Sequence, residues 1–349
     1  VNTDCLTIKN QDMKNQYKAL KYRSLVLLVV FFLLLSVIVV IALCVGASSI
    51  SVTDSILALI EDNGMARSIV WNLRLPRVMM ALLIGIGLGT SGAVFQAVLR
   101  NPLASPFTLG IGSSAGFGAV IAIVFFNGLV NEYAVVTGAF IFTLLSSFII
   151  LGVSRYKGAT PETMILTGIA LMFLFSSLSS FLQYLGTKEE VHGIVFWFFG
   201  SLSKAGYREI VMSGMMILIP MPFMFRFAFD FNLMTAGDES ARALGVNVPG
   251  VRMFSIALAS LMTSGAICFT GVIGFIGLVA PHIARMIFGS DNLFLIPASA
   301  LIGGVLVLSA DTLGRTMWLP HVIPIGIVTS FIGVPFFFYL LIKKTKEYW

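Results

Sequence analysis

The chain has 349 residues, of which 58% are hydrophobic and 11% charged. A soluble domain carries about 25% charged residues, so this chain has too few to cover a water-facing surface of its size, and most of its solvent must be lipid. The net charge of +6 excludes nothing until its placement along the chain is known.

A basic start (Lys9, Lys14, Lys18, Lys21, Arg23) leads into an apolar run over 24–45. That run is longer than the roughly 7–15 residues of a signal-peptide core and long enough to cross a bilayer, so it reads as a first span. Further apolar runs follow at 78–97, 109–126, 133–153, 163–185, 208–225, 253–269, 275–288, 293–312 and 323–342. The alternation of an outer-membrane barrel strand is absent from them, and helices satisfy their own backbone groups in lipid. The expected fold is all-α and polytopic. One ten-helix domain covers 24–342, between an N-terminal extension (1–23) and a C-terminal tail (343–349).

Ten spans put both termini on one side. With the N-terminus cytoplasmic, the opposite side collects Arg67, Arg74, Arg77, Lys188, Lys204, Arg208 and Arg315, leaving fifteen of the 22 cations inside. The positive-inside bias therefore predicts a cytoplasmic-membrane protein with both termini cytoplasmic. The net charge is mostly this topology signal; it does not form the clustered basic face of a nucleic-acid binder. Trp71, Trp197 and Trp318 fall in or beside outer segments, where interfacial anchors belong.

Gly87, Gly89 and Gly92 form a formal G-x-G-x-x-G, but it follows no strand, which argues against a dinucleotide fold. The spacings Gly85/Gly89, Gly112/Gly116 and Ser114/Gly118 suit close helix packing instead. With no Gly-Lys dipeptide there is no Walker A loop, and hence no nucleotide hydrolysis by this chain. The cysteines Cys5, Cys44 and Cys268 lack ligand or disulfide spacing, and Cys44 and Cys268 read as small apolar residues. The histidines His192, His282 and His321 lie in separate segments. No metal site is expected.

Asp311 is the one acidic residue well inside an apolar run, four residues before Arg315, where the two share a helix face and pair. Arg74 and Arg77 stand just before the second span. They read either as snorkelling anchors or, with Arg315, as cations for docking an acidic partner. The inner segment 236–249 reads as a short helix, with Asp238 and Glu239 at its start and Gly245 at its end. It either lies on lipid or serves as a lever for a cytosolic protein.

Six motifs in order carry a resemblance. They are Arg74-Leu-Pro-Arg77; Ser91-Gly-Ala-Val-Phe-Gln96; Asn101-Pro102-Leu-Ala-Ser-Pro106 with Leu109-Gly110; Gly237-Asp238-Glu239-Ser-Ala241-Arg242-x-Leu244-Gly245; Gly274-Phe-Ile-Gly277-Leu-Val-Ala-Pro281-His282-Ile-x-Arg285; and Leu319-Pro-x-x-x-Pro324-Ile-Gly326-Ile-Val-Thr329. Together they resemble the FecCD/BtuC-type permeases of binding-protein-dependent ABC importers for iron–siderophore, haem and cobalamin. The resemblance implies a subunit that pairs with a second copy or a paralogue. Two ATPase subunits, which carry ATP and magnesium, bind below it, and a solute-binding protein docks above. No cofactor is implied on this chain, nor any enzymatic activity.

By the same resemblance Arg74, Arg77 and Arg315 face the binding protein. Gly237 to Gly245 enter the ATPase. The fifth and tenth spans line the pathway with residues such as Ser176, Ser177, Ser180, Thr329 and Ser330. A wide pore with weak contacts suits a bulky chelate, since tight binding would prevent release. Ferric siderophore is the expected cargo, with cobalamin or haem as alternatives. An ion-coupled carrier using Asp311 is the rival from another class, and a membrane scaffold without transport leaves the six motifs unexplained. The resemblance gives the basic N-terminal extension no role.

Overall fold

The computed structural model describes residues 3–46, 50–58, 60, 64–126 and 128–342, and the side chains of these except 3–17 and 340–341. The expected tail at 343–349 lies outside the described residues, as do the side chains of Lys9 and Lys14. The described chain is helical. In order, its α-helices are α1 (Thr3–Cys44), α2 (Val52–Leu57), α3 (Met65–Ile69), α4 (Leu75–Val98), α5 (Ile111–Phe125), α6 (Glu132–Tyr156), α7 (Pro161–Leu185) and α8 (Lys188–Phe199). They continue with α9 (Tyr207–Leu218), α10 (Met221–Arg226), α11 (Ala228–Thr235), α12 (Asp238–Ala243), α13 (Val248–Thr270), α14 (Ile276–Phe288), α15 (Asn292–Thr316) and α16 (Ile325–Ile342). A π-helical turn, Val70–Arg74, joins α3 to α4.

Nine of the ten apolar runs each fall on a single helix. Among the described residues seven spans are long and apolar enough to cross a bilayer, and α5, α14 and α16 are shorter apolar helices. The run at 208–225 breaks at Ile219-Pro220 into α9 and α10, because proline cannot donate to the preceding turn. The first helix reaches back through the basic extension to Thr3 without a break.

Helix α4 is the axis, buried along most of its length against α9, α13, α14 and α15. Its closest neighbour is α15, and glycine makes the approach possible. A Cβ on Gly85 or Gly89 would collide with the backbone carbonyls of Gly303 and Ser299. Small residues four apart on both helices thus let the backbones touch, where van der Waals packing takes the place of hydrophobic exclusion. Gly118 meets Gly138 of α6 in the same way, whereas Gly112 and Gly116 lie under the rings of Phe107 and Phe198. Peripheral α1 packs mainly on α15 and leaves most of its apolar surface exposed.

Hydrogen bonds and ion pairs sort the connections onto two ends. One end gathers α2, α3, α8 and the links preceding α6, α9, α14 and α16: Lys204 pairs with Glu132, Tyr207 donates to the Trp71 carbonyl, and the Ser201 amide donates to the Thr270 carbonyl. The other gathers α10 to α12, the links α4–α5 and α6–α7, and the α14–α15 turn. We refer to these as the α8 end and the α12 end.

Candidate functional site

At the α8 end Arg77 and Arg315 converge on one carboxylate, and Arg74 lies beside Arg315. Asp311 is fully buried and accepts from Arg77 Nε at 2.9 Å, with Arg77 Nη2 2.8 Å from the same oxygen and Arg315 Nε 3.0 Å from the second. The i,i+4 pairing of Asp311 with Arg315 is the one read from the sequence; the bond to Arg77, 234 residues away in the chain, had no local signal. The π turn sets Arg74 inward at the head of α4. Its Nη1 donates to the carbonyls of Leu43 and Cys44 and to Ser55 Oγ, at 2.9, 2.8 and 2.9 Å. Arg315 donates more weakly to the carbonyls of Ala42 and Val45. The last carbonyls of a helix have no partner within it and carry its negative pole, so two guanidiniums cap α1.

Among the described residues Asp311 is the one carboxylate paired with Arg77 and Arg315. Arg74 and Arg315 are each only 4% exposed, which restricts direct surface contact. Arg77, whose side chain is 16% exposed, is the member nearest the surface.

At the α12 end the expected short helix is present as α12. Its acidic first turn begins after Gly237 (φ +123), and Gly245 (φ +88) closes it, with the Val246 amide donating to the Ala241 carbonyl. Both glycines occupy backbone conformations that side chains resist. Ala241 is buried beneath the helix, while Glu239, Arg242 and Leu244 are exposed, Leu244 at 68%.

Arg252, one of the fifteen cations that the charge count puts inside, anchors this helix. It is 1% exposed and donates through Nε to the Val98 carbonyl, through Nη1 to the Ala159 carbonyl and through Nη2 to both Asp238 oxygens. The end of α4, the α6–α7 link and α12 are thereby joined by one side chain. Partial burial pulls the Asp238 carboxyl up. The hydrogen bond and charge of Arg252, with Arg100 and Arg242 adding, more than reverse this and hold it below the usual carboxylate value.

The pathway residues divide. On α7, Ser176, Ser177 and Ser180 share an exposed face; Ser176 donates to Ser113 Oγ at 3.3 Å and Ser180 to the Ser176 carbonyl. On α16, Ser330 lines a cavity of about 550 Å³ with Phe198 and Phe199 of α8, Val272 and Gly274, and Phe331. Its hydroxyl donates to the Gly326 carbonyl at 2.7 Å, leaving the cavity wall largely apolar. Thr329 is buried on another face of α16, in a small hollow with Phe275, Val279 and Leu306. Helix α8 touches both α7 and α16.

The remaining motif residues build the frame. Asn101 Oδ1 accepts from the Leu103 amide, and Pro102 follows in the same turn. Gly110 (φ +71) starts α5 where a side chain would strike Gly168 of α7. Pro106 abuts Gly277, Pro281 is buried inside α14, and buried His282 lies edge-on to Phe336. Cys44 and Cys268 are buried free thiols. Among the described residues no cluster of three or more His, Cys, Asp or Glu could hold a metal.

The sequence matches the FecCD transport family over residues 34–343. It is 37% identical to a haemin transport permease of Yersinia pestis over 80% of this chain and 84% of that protein. It is 36% identical to a Fe(3+)-citrate import permease of Bacillus subtilis over 93% of this chain and 97% of that one. A solved structure described as an inward-facing metal-chelate type ABC transporter superposes with a TM-score of 0.82 at 31% identity, covering 91% of this chain and 99% of that one.

Proposed function

Because the chain belongs to the FecCD transport family, whose members are permeases of ABC importers for metal chelates, haem and cobalamin, we propose that it carries a ferric chelate of the siderophore type across the cytoplasmic membrane. The reading rests on the whole-length likeness to the Fe(3+)-citrate permease. The α8 end faces outward and the α12 end, with both termini, faces the cytoplasm. The chain pairs with a second copy or a paralogue, and an ATPase dimer carries ATP and magnesium. A solute-binding protein selects the cargo.

The chemistry at each end supports these assignments. Arg77 and Arg315 share the carboxylate of Asp311, and their charge attracts an acidic docking surface, Arg77 making contact and Arg315 acting from beneath, while Arg74 holds the end of α1 in place under it. Exposed Leu244, flanked by Glu239 and Arg242, is a small apolar tip for an ATPase cleft, and Arg252 transmits its displacement to α4 and α7. The serines of α7 and the apolar cavity beside Ser330 offer a bulky chelate weak contacts, which favour release.

The test is uptake by proteoliposomes containing the permease, its ATPase and its binding protein, with ATP inside. Labelled ferric siderophore should enter only with ATP present. Haem is the second reading, favoured by the comparable likeness to the haemin permease. Preferred uptake of haemin would select it, and uptake driven by an ion gradient without the ATPase would sink both.

A further inference from the structure

A second recess opens at the α12 end, beside the short helix. Its volume is about 270 Å³, and it lies between the end of α4, α11 and the α14–α15 turn, with Gln96, Arg100, Asn101, Thr235, Arg285 and Asn292 in its wall. The groups around it are out of balance in three independent ways.

Arg285 reaches it from α14 and donates Nη2 to the neutral Gln96 Oε1 at 3.0 Å. Among the described residues no carboxylate pairs with Arg285. A guanidinium drawn partly out of water without a counter-ion calls for an anion. Arg100 stands at φ +49 directly after α4, where the Asn101 amide closes back on the Gln96 carbonyl. Glycine is the usual residue at that point of a helix end, so arginine is held there against its backbone preference. Its nearest carboxylate, Asp238 at 3.8 Å, is already engaged by Arg252. Asn292, 1% exposed, donates Nδ2 to Asn232 Oδ1, which leaves its own Oδ1 buried without a donor. The other nearby carboxylate, Asp291, is bound to Asn232 Nδ2 and caps α15.

An occupant that restores the balance has an acidic group with an N–H close by. We propose that this recess receives an aspartate or glutamate of the ATPase subunit, its carboxylate between Arg100 and Arg285 and its backbone amide on Asn292 Oδ1. The proposal rests on the reading of α12 as the ATPase contact. Arg100 and Thr235 at the rim adjoin that helix, so one partner surface covers both. The permease is thus held at two points, an apolar tip and a buried ion pair, and a charged second point resists rotation about the first.

The test measures affinity between detergent-purified permease and its ATPase. Arg285→Gln and Arg100→Glu should each weaken binding about tenfold or more, and Arg285→Lys should retain part of it. Among Asp→Lys and Glu→Lys variants of the ATPase, one should bind Arg100→Glu better than wild-type permease. Leu244→Asp reports on the underlying reading: if assembly survives it, the α12 contact itself is wrong. If Leu244→Asp disrupts assembly while both arginine variants bind normally, the two-point attachment is wrong. Binding of inorganic phosphate to the isolated permease, lost in Arg285→Gln while ATPase affinity is unchanged, would make the recess a free-anion site and overturn the proposal. Arg100→Glu, at the exposed rim, keeps the test decisive if Arg285→Gln does not fold.

Discussion

Arg252 Nη2 lies 2.8 and 3.0 Å from the two oxygens of Asp238, so a partly exposed carboxylate at the α12 end is tied to a guanidinium that water does not reach. The same guanidinium holds the carbonyls of Val98 and Ala159. Arg252→Leu should leave both carbonyls without their donor and cost about 2–4 kcal/mol. Asp238→Asn keeps a hydrogen bond and should cost less in stability while lowering ATP-driven uptake. Thermal melting in detergent, set beside uptake in proteoliposomes, separates the two effects.

Acid should loosen α12 before it unfolds the bundle. The Asp238 carboxyl lies below its unfolded value when folded, so its contribution is fully present above about pH 4, the ordinary carboxylate value, and is lost as pH falls further through the folded value. A fluorophore on Leu244→Cys should report constant mobility from pH 7 to 5 and rising mobility below pH 4. In Asp238→Asn the low-pH transition should be absent.

The α4–α15 contact has no room for a side chain. Gly85→Leu or Gly303→Leu should push the backbones apart and abolish folded protein in detergent, as overpacking against main chain leaves nothing soft to yield. Gly152→Ala, where an added Cβ meets nothing within 4 Å, should express and melt like the parent. Comparable loss in all three would show that packing at Gly85 is not special.

Removing the carboxylate shared by Arg77 and Arg315 leaves like charges facing each other in a buried place. Asp311→Asn should destabilise by about 3 kcal/mol, and adding Arg77→Gln should recover part of it, a coupling that a double-mutant cycle measures directly. Uptake by Asp311→Asn should remain dependent on ATP and indifferent to a proton gradient. Loss of proton-driven uptake in this variant would instead make Asp311 a coupling site.

All ten apolar runs were legible because lipid-facing and core helices alike are continuous in hydropathy; the run at 133–153, for instance, is Glu132–Tyr156 in the fold. Helix α8 was missed. Its first turn is charged, and its only local sign is the capping box in which Thr187 accepts from the Glu190 amide and the Glu190 carboxylate accepts from the Thr187 amide. The short helix around 238–243 and the Asp311–Arg315 pair were readable from local spacing. Local spacing could not reveal that Arg77 completes the pair, that Arg74 and Arg315 turn inward, that Thr329 is buried, or that Arg252 is an anchor. Each depends on contacts between helices remote in sequence.

The clasp on α1 has a consequence for how this molecule tolerates change. Arg74 and Arg315 grip main-chain oxygens of Ala42 to Val45, atoms that every amino acid supplies, while the outward side of the helix meets lipid. The pair therefore measures where the first helix stops and ignores what it is made of. Its lipid-facing residues are free to drift among apolar types, whereas one residue inserted between Ser24 and Cys44 would rotate the terminal carbonyls by about 100° and open the clasp. In this permease the first span behaves as a ruler, fixed in length and loose in composition.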